Sequence, residues 1–508
     1  MKHLILLLLA VVCNVSAFAD APLRRPISVN QPAWFVHIDN WNDADPQKII
    51  DLIPEDIKPY VVFNISMSIS HNETTGEFDR VPDGYSTARS WLRTCAENNV
   101  WAMVQCSSGG FSHFSETDLR FYEELYRDYP NFIGWNYAEQ FWGFDDKFSC
   151  SFDERLSHFA DLMKLARKYG GYTCISFCGN IWSLPLSPLA MMKRSAAFAE
   201  QAAAAPQNLI ICDKYTMSSM FYEYESMSFG SFIAGYTTNF GIRFDQCGWN
   251  AELESEKDNM PAAAGAAPVL NNWLINGGTV NDGPELIWQQ DFKTEVKKPL
   301  ANGFYGRSFS RFPQFDNVSI DLYRKILDGT IRIPTREEVI ERNKLVLIND
   351  VNTGDNEVVY GAPRTLYDGL YNMKDGEFHH EQKNWFKKTG RYPTIPVVPT
   401  LVDDLAQSIN TQVLRSEYDK RWSTIAKKKA EFNSLFPEEY TGNAFAGRVG
   451  NRWLIYNPLK SGASAKALIP LQYNTCKDIT LIMSQYTTCL MKEKTDGISL
   501  YLTSVIHI

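Results

Sequence analysis

The chain carries none of the short signatures that mark phosphate, zinc or serine chemistry. There is no G-x-x-x-x-G-K-[ST], no H-E-x-x-H, no G-x-S-x-G and no EF-hand loop. His379-His380-Glu381 lacks a second His at helical spacing and reads as a surface turn. Long basic runs are also missing, and the net charge is −9, which argues against nucleic acid or an anionic membrane as the main partner. Past the N-terminus no apolar run reaches the roughly 18 residues that a membrane-spanning helix needs. Of the ten cysteines, the nine after Cys13 are scattered and odd in number, which does not read as a disulfide framework. Cys106, Cys174 and Cys212 sit in apolar runs, where a thiol behaves as a small hydrophobe. Cys174 and Cys178 have no second pair nearby, so no metal is expected, and no other cofactor motif is present.

At the N-terminus, Lys2 and His3 precede an apolar core from Leu4 to Val12, and Ala17-Phe18-Ala19 offers small residues for cleavage. The expectation is export as a soluble protein, secreted or periplasmic, with residues 1–19 removed by a cut after Ala19. Val12 is a poor residue before a lipid-modified Cys13, so an anchor there is disfavoured.

What the chain has in quantity is aromatic side chains and buried-strand patterning. Apolar runs recur at Trp34–Ile38, Tyr60–Ile65, Val100–Cys106, Phe132–Tyr137, Tyr172–Phe177, Leu209–Cys212, Phe232–Tyr236 (continuing to Phe244) and Glu285–Trp288. Continuous rather than alternating apolar runs suit a sheet covered on both faces. Helical patterns with start and stop signals lie between them: Asp45-Pro46 before QKIIDLI, Asp153 before ERLSHFADLMKLARKY with Gly170-Gly171 at its end, and Ser187-Pro188 before an Ala- and Met-rich stretch closed by Pro206. Eight strand–helix units of roughly 30–40 residues predict a (β/α)8 TIM barrel. A doubly wound open sheet is the runner-up, but no G-x-G-x-x-G follows the first strand.

The predicted barrel spans residues 20–345. Barrel-associated loops and a charged helix from Ser416 occupy 346–440, with Lys427–Lys429 read as a solvated face. Residues 441–508 read as short strands of a β-sandwich-like domain. That segment is short for a sandwich, so either it is abbreviated or it takes strands from the chain after Asn349.

Catalytic groups of such a barrel belong at the C-terminal ends of its strands. There the sequence places His37, Asp39 and Trp41 after strand one, Asn64 on strand two, Gln105 on strand three and Glu139 on strand four. Asp213, Lys214 and Tyr215 end strand six, Asp245 and Trp249 follow strand seven, and Glu285 marks strand eight. Glu139 sits in NYAEQFWGF among Tyr137, Phe141, Trp142 and Phe144. Aromatic walls strip water from a carboxyl group and favour its neutral form, as a general acid requires. Tyr137, Trp142 and Trp249 are candidate sugar platforms. Glu139 with Asp245 and Glu285 supplies the carboxylates for glycoside hydrolysis. Each also has an ordinary reading: Asp245 as an ion-pair partner of Arg243 or Lys214, Glu285 as a turn residue after Gly283-Pro284, Asp213 as a spectator beside Lys214, and His37 as a satisfied core histidine.

Arg24–Ser66, together with NYAEQFWGF, GIRFDQCGWN and NDGPELIW, resembles glycoside hydrolase family 98, over a span from about Arg24 to at least Asn457. The resemblance implies a (β/α)8 catalytic domain followed by a β-sandwich, and an inverting endo-enzyme. Its substrate would be an oligosaccharide or polysaccharide with internal β-1,4 bonds, either blood-group galactosides or decorated xylans. It further implies Glu139 as general acid and Asp245 with Glu285 as the water-activating pair. The choice of glycan rests on groove loops such as Ser107–Phe114, Met217–Ser228 and Asn250–Met260. A non-catalytic glycan-binding barrel is the competing reading.

Overall fold

The computed structural model describes residues 20–39, 45–67, 69–71, 78–80, 84–106, 119–140, 152–178, 188–215, 222–244, 271–282, 288–291, 308–311, 320–350, 393–436, 441–457, 464–484 and 487–503. Eight parallel strands close into a barrel: β1 (Ala33–Asp39), β2 (Val61–Ser66), β3 (Trp101–Gln105), β4 (Phe132–Gln140), β5 (Tyr172–Cys178), β6 (Leu209–Tyr215), β7 (Asn239–Phe244) and β8 (Val280–Asp282). Each pairs with its sequence neighbour and β8 closes on β1, so β4 and β8 stand opposite one another across the axis.

Helices α1 (Pro46–Asp51), α2 (Gly84–Glu97), α3 (Leu119–Asp128), α4 (Phe152–Tyr169), α5 (Pro188–Arg194), α6 (Ala196–Ala204) and α7 (Tyr222–Ile233) alternate with the strands. Their starts follow local chemistry. Pro46 opens α1 while the Asp45 side chain accepts from the backbone N–H groups of Gln47 and Lys48. Gly170 ends α4 at φ +68°, and a Cβ there would lie 1.9 Å from the Pro22 carbonyl oxygen, so the stop doubles as a seat for the incoming chain. The Ala-rich stretch is two helices rather than one, because Ser195 leaves helical geometry to cap α6 at Phe198 N.

Two strands differ from expectation. Phe232–Tyr236 is the end of α7 and its turn, not a strand: Phe232 and Ile233 pack with Phe229, Phe240 and Val339. The seventh strand is confined to Asn239–Phe244. The eighth is Val280–Asp282, with two polar residues in three, whereas Trp288–Asp291 pairs antiparallel with Ser308–Arg311 in a separate two-stranded sheet.

Apolar residues fill the lower barrel interior, with Phe35, Val62, Met103, Ile133, Cys174, Ile210, Cys212 and Val280 in one cluster. Ala21–Arg25 straps the floor. Arg24 donates to the carbonyls of Tyr126 (2.6 Å), Tyr129 (3.0 Å), Phe132 (3.0 Å) and Tyr169 (2.9 Å), covering the last turns of α3 and α4.

Beyond the barrel, Leu345–Ile348 pairs in parallel with Val397–Val398 and Thr411–Leu414. Within 441–503, a three-stranded and a four-stranded antiparallel sheet share one apolar core around Trp453, Ile455, Ala467, Ile469 and Met491. The sandwich thus has seven strands among the described residues of its own segment, including Phe445–Val449 and Thr488–Lys494. The Lys427–Lys429 run is not wholly solvated. Lys428 is buried, with its ammonium 3.1 Å from the Tyr418 hydroxyl, and the predicted single helix is broken into Tyr418–Arg421 and Ile425–Leu435.

Candidate functional site

Above the apolar layer, the C-terminal half of the barrel interior turns polar. His37 on β1, Asn64 on β2, Gln105 on β3, Asn136 on β4, Arg243 on β7 and Asp282 on β8 are all buried. They form one connected network. Asn64 Nδ2 lies 2.9 Å from His37 Nδ1 and 3.3 Å from Gln105 Oε1. The Arg243 guanidinium reaches His37 Nδ1 at 3.0 Å and donates to Asp282 Oδ2 at 2.8 Å, and Asn136 Nδ2 donates to the same carboxylate oxygen at 3.1 Å.

This arrangement selects the histidine tautomer. A guanidinium can only donate, so His37 Nδ1 must accept and the ring proton sits on Nε2. The amide of Asn64 then presents its NH2 group to the ring. Asn64 Oδ1, Asn136 Oδ1 and Asp282 Oδ1 are buried with no hydrogen-bond partner among the described residues. Three such acceptors in one network are uncommon in an interior built for stability alone.

The backbone of β4 is irregular where it matters. Gly134 adopts φ +140° at a register shift against β3, and a Cβ there would lie 2.0 Å from the Tyr172 carbonyl oxygen. A second shift separates Tyr137, paired with Ile175, from Gln140, paired with Phe177, so Ala138 and Glu139 together stand opposite Ser176. A bulge of this kind re-aims side chains and increases local twist. It falls on the candidate acid.

Tyr137 does not serve as a sugar platform. It is wholly buried behind the barrel wall, packed against Phe159 at 5.3 Å, with its hydroxyl 3.4 Å from His158 Nε2 and 3.7 Å from Cys106 Sγ. Burial pushes its hydroxyl well above the usual tyrosine range.

Of the other expected residues, His37 and Asn64 join the network. Asp39 ends β1, Glu139 lies on β4, and Asp213, Lys214 and Tyr215 end β6. Trp41, Trp142, Asp245, Trp249 and Glu285 lie outside the described residues. Asp245 follows the end of β7 and Glu285 follows the end of β8 in the chain. The carboxylate paired with Arg243 among the described residues is Asp282, which the sequence reading did not single out, nor did it single out Asn136. The available signal was an Asn-Asp pair closing the short apolar lead of β8 just before Gly283-Pro284.

Comparison with known proteins gives a consistent result. The model of "Glycosyl hydrolase family 98" matches residues 21–334, and that of its C-terminal domain matches 336–505. A curated relative, "Blood-group-substance endo-1,4-beta-galactosidase" of Clostridium perfringens, is 23% identical over 439 residues, covering 80% of this chain and 49% of the relative. The chain thus spans about half the length of that protein. Two solved structures of the catalytic module of a family 98 glycoside hydrolase from Streptococcus pneumoniae TIGR4 match with 95% of this chain and 82% of theirs covered. One is in complex with the H-disaccharide blood group antigen (19% identity, TM-score 0.69) and one with the LewisY pentasaccharide (18% identity, TM-score 0.70).

Proposed function

The chain belongs to glycosyl hydrolase family 98, and from that premise we propose that it is an exported, endo-acting, inverting glycoside hydrolase cutting internal β-1,4 bonds of a complex glycan. Glu139 protonates the leaving glycosidic oxygen. Asp245 and Glu285 hold and deprotonate a water on the opposite face of the sugar. One observation carries this reading: the strand bearing Glu139 and the strand preceding Glu285 stand on opposite sides of one closed barrel, above a buried polar network. Opposed carboxylates with room for a water between them are what inversion requires, at a separation of about 6.5–9.5 Å. Blood-group galactosides are the favoured substrate class because the curated relative is named for them; decorated xylan is the second class to test.

The test is release of reducing ends from blood-group glycans and from xylan by the purified protein, with proton NMR of the first product anomer. The expected first anomer is α. A β anomer refutes inversion. No release from either glycan, with binding intact, refutes hydrolysis and favours a glycan-binding barrel. The Glu139→Gln variant is expected to bind glycan yet lose hydrolysis of substrates with poor leaving groups; unchanged turnover removes Glu139 from the acid role.

A further inference from the structure

We propose that Asp282 is a positioning residue, whose buried carboxylate ties the strand of the candidate acid to the strands leading to the candidate water-activating pair and so sets their spacing. This rests on the roles given above to Glu139, Asp245 and Glu285. Asp282 Oδ2 accepts from Asn136 Nδ2 of β4 at 3.1 Å and from the Arg243 guanidinium of β7 at 2.8 Å. Backbone ladders join only adjacent strands, whereas the Asn136–Asp282 bond crosses the barrel between opposite ones. Each tied residue lies just ahead of a candidate catalytic residue in the chain. Asn136 precedes Glu139 by three residues, Arg243 precedes Asp245 by two and Asp282 precedes Glu285 by three.

Two features make the tie consequential. The ladder between β4 and β5 is interrupted at Ala138 and Glu139, so ladder bonds alone hold the end of β4 less firmly. The tie itself is buried, with Asn136 and Asp282 at 0% exposure and Arg243 at 5%, where polar contacts are stiffer than in water. An inverting site depends on holding its acid and base carboxyls apart by a set distance, and small misplacements are costly in rate.

The experiment compares Asn136→Leu and Asp282→Asn with the wild type on two substrates, the intact glycan and an aryl glycoside of the same glycone with a good leaving group. Asn136→Leu keeps a branched side chain of similar size and leaves the Arg243–Asp282 pair in place. Its expected effect is a fall in kcat of about 10- to 100-fold on the intact glycan, with KM nearly unchanged. The loss on the aryl glycoside, whose departure needs no acid, is much smaller. Asp282→Asn, which also weakens the hold on β7, is expected to lose rate on both substrates. An unchanged kcat in Asn136→Leu overturns the tie and leaves the functional reading standing. So does an equal loss on both substrates accompanied by a lowered melting temperature, because that is how a purely structural residue behaves. If the wild type turns over neither substrate, the functional reading fails instead. The tie is then judged from crystal structures: displaced ends of β4 and β8 in Asn136→Leu support it, and superimposable ends overturn it.

Discussion

Acid is expected to weaken the barrel wall behind β4 through one side chain, His158 of α4. The imidazole is almost wholly buried, edge-on to Tyr122 (centroids 4.8 Å apart) and against Tyr137, with Nε2 3.4 Å from the Tyr137 hydroxyl. Burial, and then the nearby charge of Arg155, lower its pKa to about 3, from about 6.5 in an unfolded chain. The folded state therefore holds the neutral ring while the unfolded state takes up a proton. Stability from this group is complete above about pH 6.5 and is lost as the pH falls toward 3, at up to about 1.4 kcal/mol per pH unit. Over two or three pH units that is about 3–4 kcal/mol, a large part of a typical total of about 5–15 kcal/mol. The variant His158→Phe keeps an aromatic ring and removes the titration. At pH 7 it is expected to be about 1 kcal/mol less stable, for want of the contact with Tyr137. Near pH 5.5 the wild type has lost about that much, so the order reverses below it. Urea unfolding followed by tryptophan fluorescence at several pH values from 7 to 4 measures both curves, and Trp135, which donates to the Tyr122 carbonyl in the same cluster, is a local reporter. Parallel stability–pH curves for the two proteins would refute the reasoning.

Two further predictions concern the N-terminus. Replacing Arg24 by Ala strips four backbone carbonyls of a charged donor and is expected to cost at least about 3 kcal/mol, seen as a melting temperature lower by roughly 3 °C or more; Arg24→Lys recovers only part of it, because an ammonium lacks the guanidinium fork. Export with cleavage after Ala19 is tested by N-terminal sequencing of the exported protein. Asp20 is the expected first residue, and a retained Met1 rejects the prediction.

How far the sequence revealed the fold depended on what each segment buries. Strands such as Val61–Ser66 are buried on both faces and announce themselves as nearly continuous apolar runs, interrupted here by Asn64. Phe232 and Ile233 are equally apolar for a different reason, because they end a helix covered by Val339 and Ile340, and an apolar run cannot distinguish the two. The eighth strand was missed because Asn281 and Asp282 are polar, yet both are fully buried. Tyr137 looked like part of an aromatic groove, but strand alternation turns it outward under α4. Glu139 was legible as a residue near the end of its strand, whereas Asp245 and Glu285 lie outside the described residues. The buried polar network was not legible, since its bonds join positions 146 and 206 residues apart, and only the closed barrel brings those together.

Stability does not account for the Arg243–Asp282 pair. Charges this deeply buried lose hydration, and exchanging such a pair for apolar side chains of similar volume is often neutral or stabilising by about 1–4 kcal/mol. A barrel selected for stability alone would have continued its apolar layers upward from Phe35 and Val62. Pairing Arg243→Met with Asp282→Leu is therefore expected to give a protein unfolding within about 2 kcal/mol of the wild type. Asp282→Leu alone leaves the Arg243 charge without this carboxylate and is expected to cost about 3–5 kcal/mol. If the pair serves to hold the strand ends, the double variant folds but hydrolyses glycan far more slowly than the wild type. A double variant as unstable as Asp282→Leu would refute the energetic argument. One that is stable and fully active would show that the charges are dispensable to the site.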